Sequence, residues 1–331
     1  MLRFLDDQGL RAFLDQTLVG KDFSLRHLRG GHLNQNVLVT AKDKKFLLKV
    51  YRKDIDLVGL EEVHRLMRHC QSLNIPTPTP LAQDKHNGYN LALYTFLDGE
   101  HPSRFRNTRS RLESMGAMLG RIDFALTSFV SRDDRPSYDK LVKWDPEVFL
   151  QEIKDLRLLL RSRPIALRQE INSNLDVYER IVQGGEWSTK PFADLPMQFV
   201  HGDYHVNNLV FTGQVISGVL DWEKAGWHWL SYELVRSIMF NCRRTSSDLN
   251  WPSVEVFVAA YRKTSNSLTP LECRLAFETG FRCALFSLWS VKGYMNGNLA
   301  VRSNAIRRVR LLDTFALNRQ SYGERLAKLL L

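Results

Sequence analysis

The chain has 331 residues, 44% of them hydrophobic and 25% charged. That is too long for one minimal domain, and too ordinary in composition for a disordered chain, a collagen-like repeat or a disulfide scaffold. The formal net charge is +10, from 46 Lys and Arg against 36 Asp and Glu, which brings nucleic acid to mind as a partner. The basic residues are scattered, however. The densest group, Arg302, Arg307, Arg308 and Arg310, is interleaved with Ile and Val at helical spacing, as on a solvated helix face. The four cysteines have no CxxC spacing and fit neither a zinc site nor a redox pair. Acidic residues stand where a signal peptide needs an apolar run, and no apolar stretch reaches membrane-spanning length. The expectation is a cytoplasmic protein with no nucleic-acid and no membrane partner. Its oligomeric state is not legible.

Taken in chain order, residues 4–19 have the pattern of an amphipathic helix. FSLRHL, VLVT and FLLKVY read as antiparallel strands, joined through RGGHLNQN and AKDKK. LVGLEEVHRLMRHCQSLN carries apolar residues at Leu60, Val63, Leu66, Met67 and Cys70, a helical spacing, and IPTPTP ends it. NLALYTFLDGE gives another strand and a glycine turn. Helical patterns follow over 108–129, 145–160, 167–183, 230–243, 253–264 and 270–292. The change from strand-rich to helix-rich near residue 97 divides the chain into an N-terminal lobe, 1–97, and a C-terminal lobe, 98–331. Phe96 to Gly99 form the hinge.

The helical part has one β interruption, MQFVHGDYHVNNLVFTGQVISGVLDWE. It reads as a strand, a polar loop from His201 to Asn208, a hairpin, and then Asp221-Trp222-Glu223. A hairpin returns the chain to where it began, so Asp203, Asn208 and Asp221 are expected to converge. Two carboxylates and an amide oxygen are hard ligands suited to Mg²⁺. Asp203 and Asn208 have the D-x-x-x-x-N spacing of a kinase catalytic loop, and Asp221 follows where a kinase places its metal-binding Asp. For any one of these residues the plain alternative is a turn or a capping side chain.

HGDYHVNN and LDWE resemble the signatures H-G-D-x-x-x-x-N and (I/L)-D-(W/F)-(D/E) of the aminoglycoside phosphotransferase/choline kinase superfamily. RGGHLNQNVLV is similar to that family's phosphate-covering hairpin, FLLKVY to its lysine strand, GLEEVHRLMRHCQSLNIPTP to the helix that follows, and LALYTFLDGE to its hinge. The resemblance runs from about residue 20 to 240. It implies an α+β, bilobal protein-kinase-like fold: a small antiparallel-sheet N-lobe with one main helix and a larger, mostly helical C-lobe with a short catalytic hairpin. It implies ATP and Mg²⁺ as cofactors and a small-molecule hydroxyl as acceptor. Asp203 would be the catalytic base, and Asn208 and Asp221 the metal ligands. Lys49 would hold the nucleotide phosphates with Glu62 as its carboxylate partner, Glu61 being the other candidate. Gly30 and Gly31 would approach the phosphates, and Tyr94 and Phe96 would line the nucleotide site. His205, Trp222 and Glu223 are candidate substrate contacts, Glu223 being equally a metal helper or a helix cap. His201 would shape the loop.

Departures from the neighbouring families narrow the activity. The loop reads His-Gly-Asp, not His-Arg-Asp, and no Ala-Pro-Glu segment follows, which favours a small-molecule kinase over a regulated protein kinase. Glu233 stands where the family carries Asp, and Asp123 where relatives often carry His. The expected acceptor wall mixes Glu223, Glu233, Glu255 and Glu278 with Arg236, Arg243, Arg244 and Arg282, unlike the acid-lined trap a polycation requires. Trp222, Trp227 and Trp229 are either an aromatic box for a quaternary amine or core residues. The hinge is most similar to the type II homoserine kinase branch, which also holds bacterial stress kinases acting on protein Ser/Thr. A homoserine-, amino-alcohol- or sugar-like acceptor is therefore expected, with an aminoglycoside, a protein substrate or a nucleotide-binding pseudokinase as alternatives.

Overall fold

The structure is a computed structural model that describes residues 4–17, 22–28, 34–53, 57–102, 107–132, 144–162, 165–245 and 247–331. The chain forms two compact units. One comprises Met1–His101, Ser128–Asp133 and Asn208–Ala225; the other comprises the remaining segments.

The first unit is built on a five-stranded antiparallel sheet. Its elements are α1 (Asp7–Leu14), β1 (Ser24–His27), β2 (Gln35–Ala41), β3 (Lys44–Val50), α2 (Leu57–Ser72), β4 (Pro80–His86) and β5 (Tyr89–Thr95), with strand order β1-β2-β3-β5-β4. Asp6 caps α1 by accepting from the Gly9 amide at 2.8 Å, and the helix stops at Leu14, short of the expected residue 19. Leu10, Phe13 and Leu14 pack on Val37, Val39, Leu48, Val50, Leu91 and Leu93. β4 is an addition to the sequence reading. It is a polar edge strand that starts at a proline, so its periodicity is weak. The sign of its hairpin was the Asn87-Gly88 pair, both at positive φ as a tight turn requires.

The hairpin β7 (Leu209–Thr212) and β8 (Val215–Val219) also groups with this unit, although the sequence boundary assigns it to the C-terminal lobe. Backbone bonds explain the grouping. Glu100 and Phe211 exchange N–H···O bonds of 2.8 and 2.9 Å, and the Val219 amide donates to Pro76 O at 2.7 Å.

The second unit carries α3 (Arg109–Leu126), α4 (Pro146–Ser162), α5 (Arg168–Gln183), β6 (Gln198–Val200), β9 (Gly226–His228), α6 (Leu230–Asn241), α7 (Trp251–Arg262), α8 (Pro270–Leu285), α9 (Trp289–Met295), α10 (Arg302–Leu317) and α11 (Arg319–Leu330). α3 lies close along α7 because Gly116 and Gly120 keep that face bare; a Cβ on Gly120 would stand 2.7 Å from Tyr261 O. The single helix expected over 270–292 is two. Arg308 of α10 donates to Ala284 O at 2.6 Å and Ser287 O at 3.1 Å, satisfying carbonyls that a helix end leaves open. One member of the basic group on α10 thus serves as a helix cap. Among the described residues no helix is long and apolar enough to cross a membrane.

Candidate active site

In the helical unit, the loop that follows β6 carries Asp203. Gly202 has φ 75°, the left-handed region that a glycine enters without steric cost. This turn aims the amides on both sides of Asp203 at α6. Glu233 Oε2 accepts from Gly202 N at 2.6 Å, and Oε1 accepts from Tyr204 N at 3.1 Å. Further along, Ser237 Oγ donates to Tyr204 O at 3.0 Å, and Asn241 Oδ1 accepts from Val206 N at 2.9 Å. Glu233, Ser237 and Asn241 recur at helical spacing, so one face of α6 is a polar template for the loop. His201, fully buried, accepts from Asp203 N through Nδ1 at 3.1 Å, which is its expected loop-shaping role. Burial pushes the Glu233 carboxyl up, against the downward pull of the Arg236 guanidinium and the two amides.

The Asp203 side chain is held as well. Arg236 Nη2 donates to its Oδ1, and His205 Nε2 lies 3.3 Å from the same oxygen. His205 stacks on Phe240 at 5.0 Å, and the Arg236 guanidinium lies over that ring at 4.9 Å. The sequence reading counted Arg236 only as one charge of a mixed wall. Its signal was position: it stands three residues after Glu233, on the same helical face.

In the sheet unit, Lys49 is 6% exposed, and its ammonium donates to Asp221 Oδ1 at 2.6 Å and to Glu223. Burial works against the ammonium, but the two carboxylates outweigh it and hold its pKa above the usual value. This corrects the expected pairing with Glu62. That carboxylate accepts from Arg65 Nη1 at 2.6 Å and from the Arg132 amide at 2.8 Å, and these bonds keep its pKa low although burial opposes them. Glu61 is no alternative, since its neighbour is Gln83 at 3.4 Å. Glu223 is therefore a lysine partner, a role the sequence reading did not give it.

Asp221 sits at φ 58°, a conformation Asp tolerates better than most residues. Leu220 N donates to Asn208 O at 2.8 Å, so Asn208 and Asp221 stand at the same end of the hairpin. No group of three or more His, Cys, Asp or Glu gathers as a metal site among the described residues. A divalent ion here would depend on the Asn208 amide together with Asp221 and Glu223. The donor set is all oxygen, and two of its carboxylates already converge on a cation, so it fits Mg²⁺.

Two further expectations change. Tyr94 is 4% exposed and its hydroxyl is engaged by Tyr51 Oη at 2.6 Å and His64 Nε2 at 2.7 Å, so it braces the sheet behind Lys49 and offers no face to a nucleotide. Burial, with help from Arg68, lowers the His64 pKa to about 4, so that ring is neutral at physiological pH. Trp222 is buried and donates Nε1–H to Val219 O at 3.0 Å, which removes it as a substrate contact. Of the other two tryptophans, Trp227 pairs with Phe199 and Trp229 packs with Trp144 and Phe192, as core residues do. The chain's own Arg282 lies over Trp144 and Phe192. Phe96 is partly exposed, with Lys45 over its ring. Gly30 and Gly31 lie outside the described residues.

Known proteins share this organisation. A family model described as the phosphotransferase enzyme family matches residues 24–263. A homoserine kinase from Methylocella silvestris is 26% identical over 278 residues, covering 81% of this chain and 78% of its own. Among solved structures, an amicoumacin kinase in complex with AMP-PNP and Ca²⁺ superposes with a TM-score of 0.63 at 12% identity, covering 93% of each chain. A microcompartment-associated aminopropanol kinase gives a TM-score of 0.63 at 14% identity, covering 96% of this chain and 98% of that one. These likenesses show the protein-kinase-like fold.

Proposed function

As the chain belongs to the phosphotransferase enzyme family, we propose that it transfers the γ-phosphoryl group of ATP, with Mg²⁺, to the hydroxyl of a small homoserine- or amino-alcohol-like molecule in the cytoplasm. The observation that carries this reading is the capture of Lys49, a buried strand lysine, by Asp221 and Glu223, 172 and 174 residues further along the chain. A lysine and two carboxylates drawn together from such distant segments suit a nucleotide phosphate with its metal.

Each unit supplies its own part. In the sheet unit Lys49 would bind phosphate oxygens, and Asn208 and Asp221 would hold Mg²⁺, which when bound neutralises charge on the transferred group. In the helical unit Asp203 accepts the proton of the attacking hydroxyl, a role worth about 10²–10⁴-fold. Transfer is direct, with no phospho-enzyme. Arg236 beside Asp203 favours a neutral or zwitterionic acceptor over a polycation. The relative named homoserine kinase and the structural neighbour named aminopropanol kinase support the same class.

The test is transfer from γ-labelled ATP with Mg²⁺ to homoserine, choline, ethanolamine, aminopropanol, methylthioribose, kanamycin and a generic protein, with Asp203→Asn as control. Labelling of one small hydroxyl compound, silent in the variant, supports the reading. Labelling of the protein substrate alone, or turnover retained in the variant, overturns it.

A further inference from the structure

Asp203 is the one carboxylate in the helical unit whose side chain is held by both an arginine and a histidine, among the described residues. Arg236 Nη2 donates to Asp203 Oδ1, while Nη1 is buried with no hydrogen-bond partner among the described residues. A buried guanidinium is costly unless it is paired, and nothing else in the described structure receives this one by a hydrogen bond. The same helix presents Glu233 one turn earlier, and that carboxylate holds the amides on both sides of Asp203. α6 therefore fixes the backbone of the loop with one residue and the side chain with another.

We propose that Arg236 is a positioning residue for phosphoryl transfer, which stops rotation of the Asp203 carboxylate and keeps it ionised as the acceptor hydroxyl arrives. This rests on the reading of Asp203 as the base. A base must be both correctly aimed and unprotonated, and one charged contact provides both. Among the described residues, the groups facing Asp203 also include His205 at 3.3 Å, His201 through the Asp203 amide, and Glu233 and Tyr232 of α6. His205 adds a second positive group only when protonated, and Glu233 opposes ionisation. Of these described groups, Arg236 is the permanent cation.

The experiment follows the Asp203 carboxyl carbon by NMR through a pH titration, its resonance assigned by loss in Asp203→Asn. Parent protein, Arg236→Met and Arg236→Lys are compared, with Arg236→Gln in reserve if the Met variant does not unfold cooperatively. In Arg236→Met or Arg236→Gln the carboxyl is expected to titrate about 1–3 pH units higher, with Arg236→Lys between. With the acceptor identified by the labelling panel, kcat should fall about 10–100-fold in Arg236→Met and its low-pH limb should move up, while KM for ATP holds within about twofold. An unmoved Asp203 titration overturns the proposal, and so does a rise in kcat, which would make Arg236 a block on the base. The titration reads Arg236 without any turnover. Activity retained in Asp203→Asn would instead overturn the base assignment, whatever the titration shows.

Discussion

Lys49 and Asp203 are held in opposite ways. Lys49 lies on β3, where ladder bonds to β2 and β5 already fix the backbone, so only its ammonium needs partners. Those partners come from the end of a distant hairpin, and the neighbouring helix α2 supplies neither of them. Asp203 lies in a loop with no ladder, so backbone and side chain must both be held, and one helix, α6, does both. The difference teaches where a fold places its supporting polar groups: beside irregular backbone, they line one helix face; beside a strand, they can arrive from anywhere in the sequence.

The largest expected effect tests whether the loop is the catalytic half. Asp203→Asn should lower turnover by at least about 10²-fold and leave ATP affinity nearly intact, as read by steady-state kinetics and nucleotide titration. Weakened ATP binding with turnover preserved would reverse the assignment of the two centres. Next is a direct contrast of the two helix glutamates. Glu233→Ala strands the Gly202 and Tyr204 amides at about 1–3 kcal/mol each, so urea unfolding should show a loss of about 2–6 kcal/mol. Glu62→Ala, which releases a partly exposed Arg65, should cost under about 1 kcal/mol. Equal losses would dissolve the contrast between α6 and α2.

A smaller effect separates the lysine partners. Glu223→Gln should raise KM for ATP several-fold, while Glu62→Gln leaves it within about twofold. The reverse order would restore Glu62 as the functional partner of Lys49. The smallest effect is on stability against pH, and its sign differs between the units. Burial holds the Asp123 carboxyl well above its usual 3.8, with Tyr261 donating to it at 2.8 Å. The folded state then binds the extra proton, so this contribution is present below about pH 4 and declines as pH rises. Asp123→Asn should therefore gain in Tm relative to the parent between pH 4 and 7. His64 runs the other way. With its pKa lowered from 6.5 to about 4, its contribution is present above pH 6.5 and lost as pH falls toward 4. His64→Gln should flatten the acid side of the same Tm profile.

The sequence by itself determined the chemistry-bearing segments. His201-Gly202-Asp203, Asn208 and Asp221 are contiguous motifs of polar residues between apolar strands, and their spacing survives without any fold. Helix and strand identity were legible for the same reason, since periodicity is local: α3, α5 and α7 fall where the pattern places them. Local pattern fails where the partner decides. The polar edge strand β4 is a strand because β5 lies beside it, and the 270–292 helix breaks where Arg308 donates to its carbonyls. Only the tertiary structure decided that Lys49 answers to Asp221 and Glu223, that Tyr94 and Trp222 turn inward, and that Arg236 reaches Asp203. For the two charges the physical reason is the same. A charge withdrawn from water must find a partner in three dimensions, and the distance along the chain to that partner, 33 residues for Arg236 and 172 for Lys49, puts the pairing itself beyond the reach of local pattern.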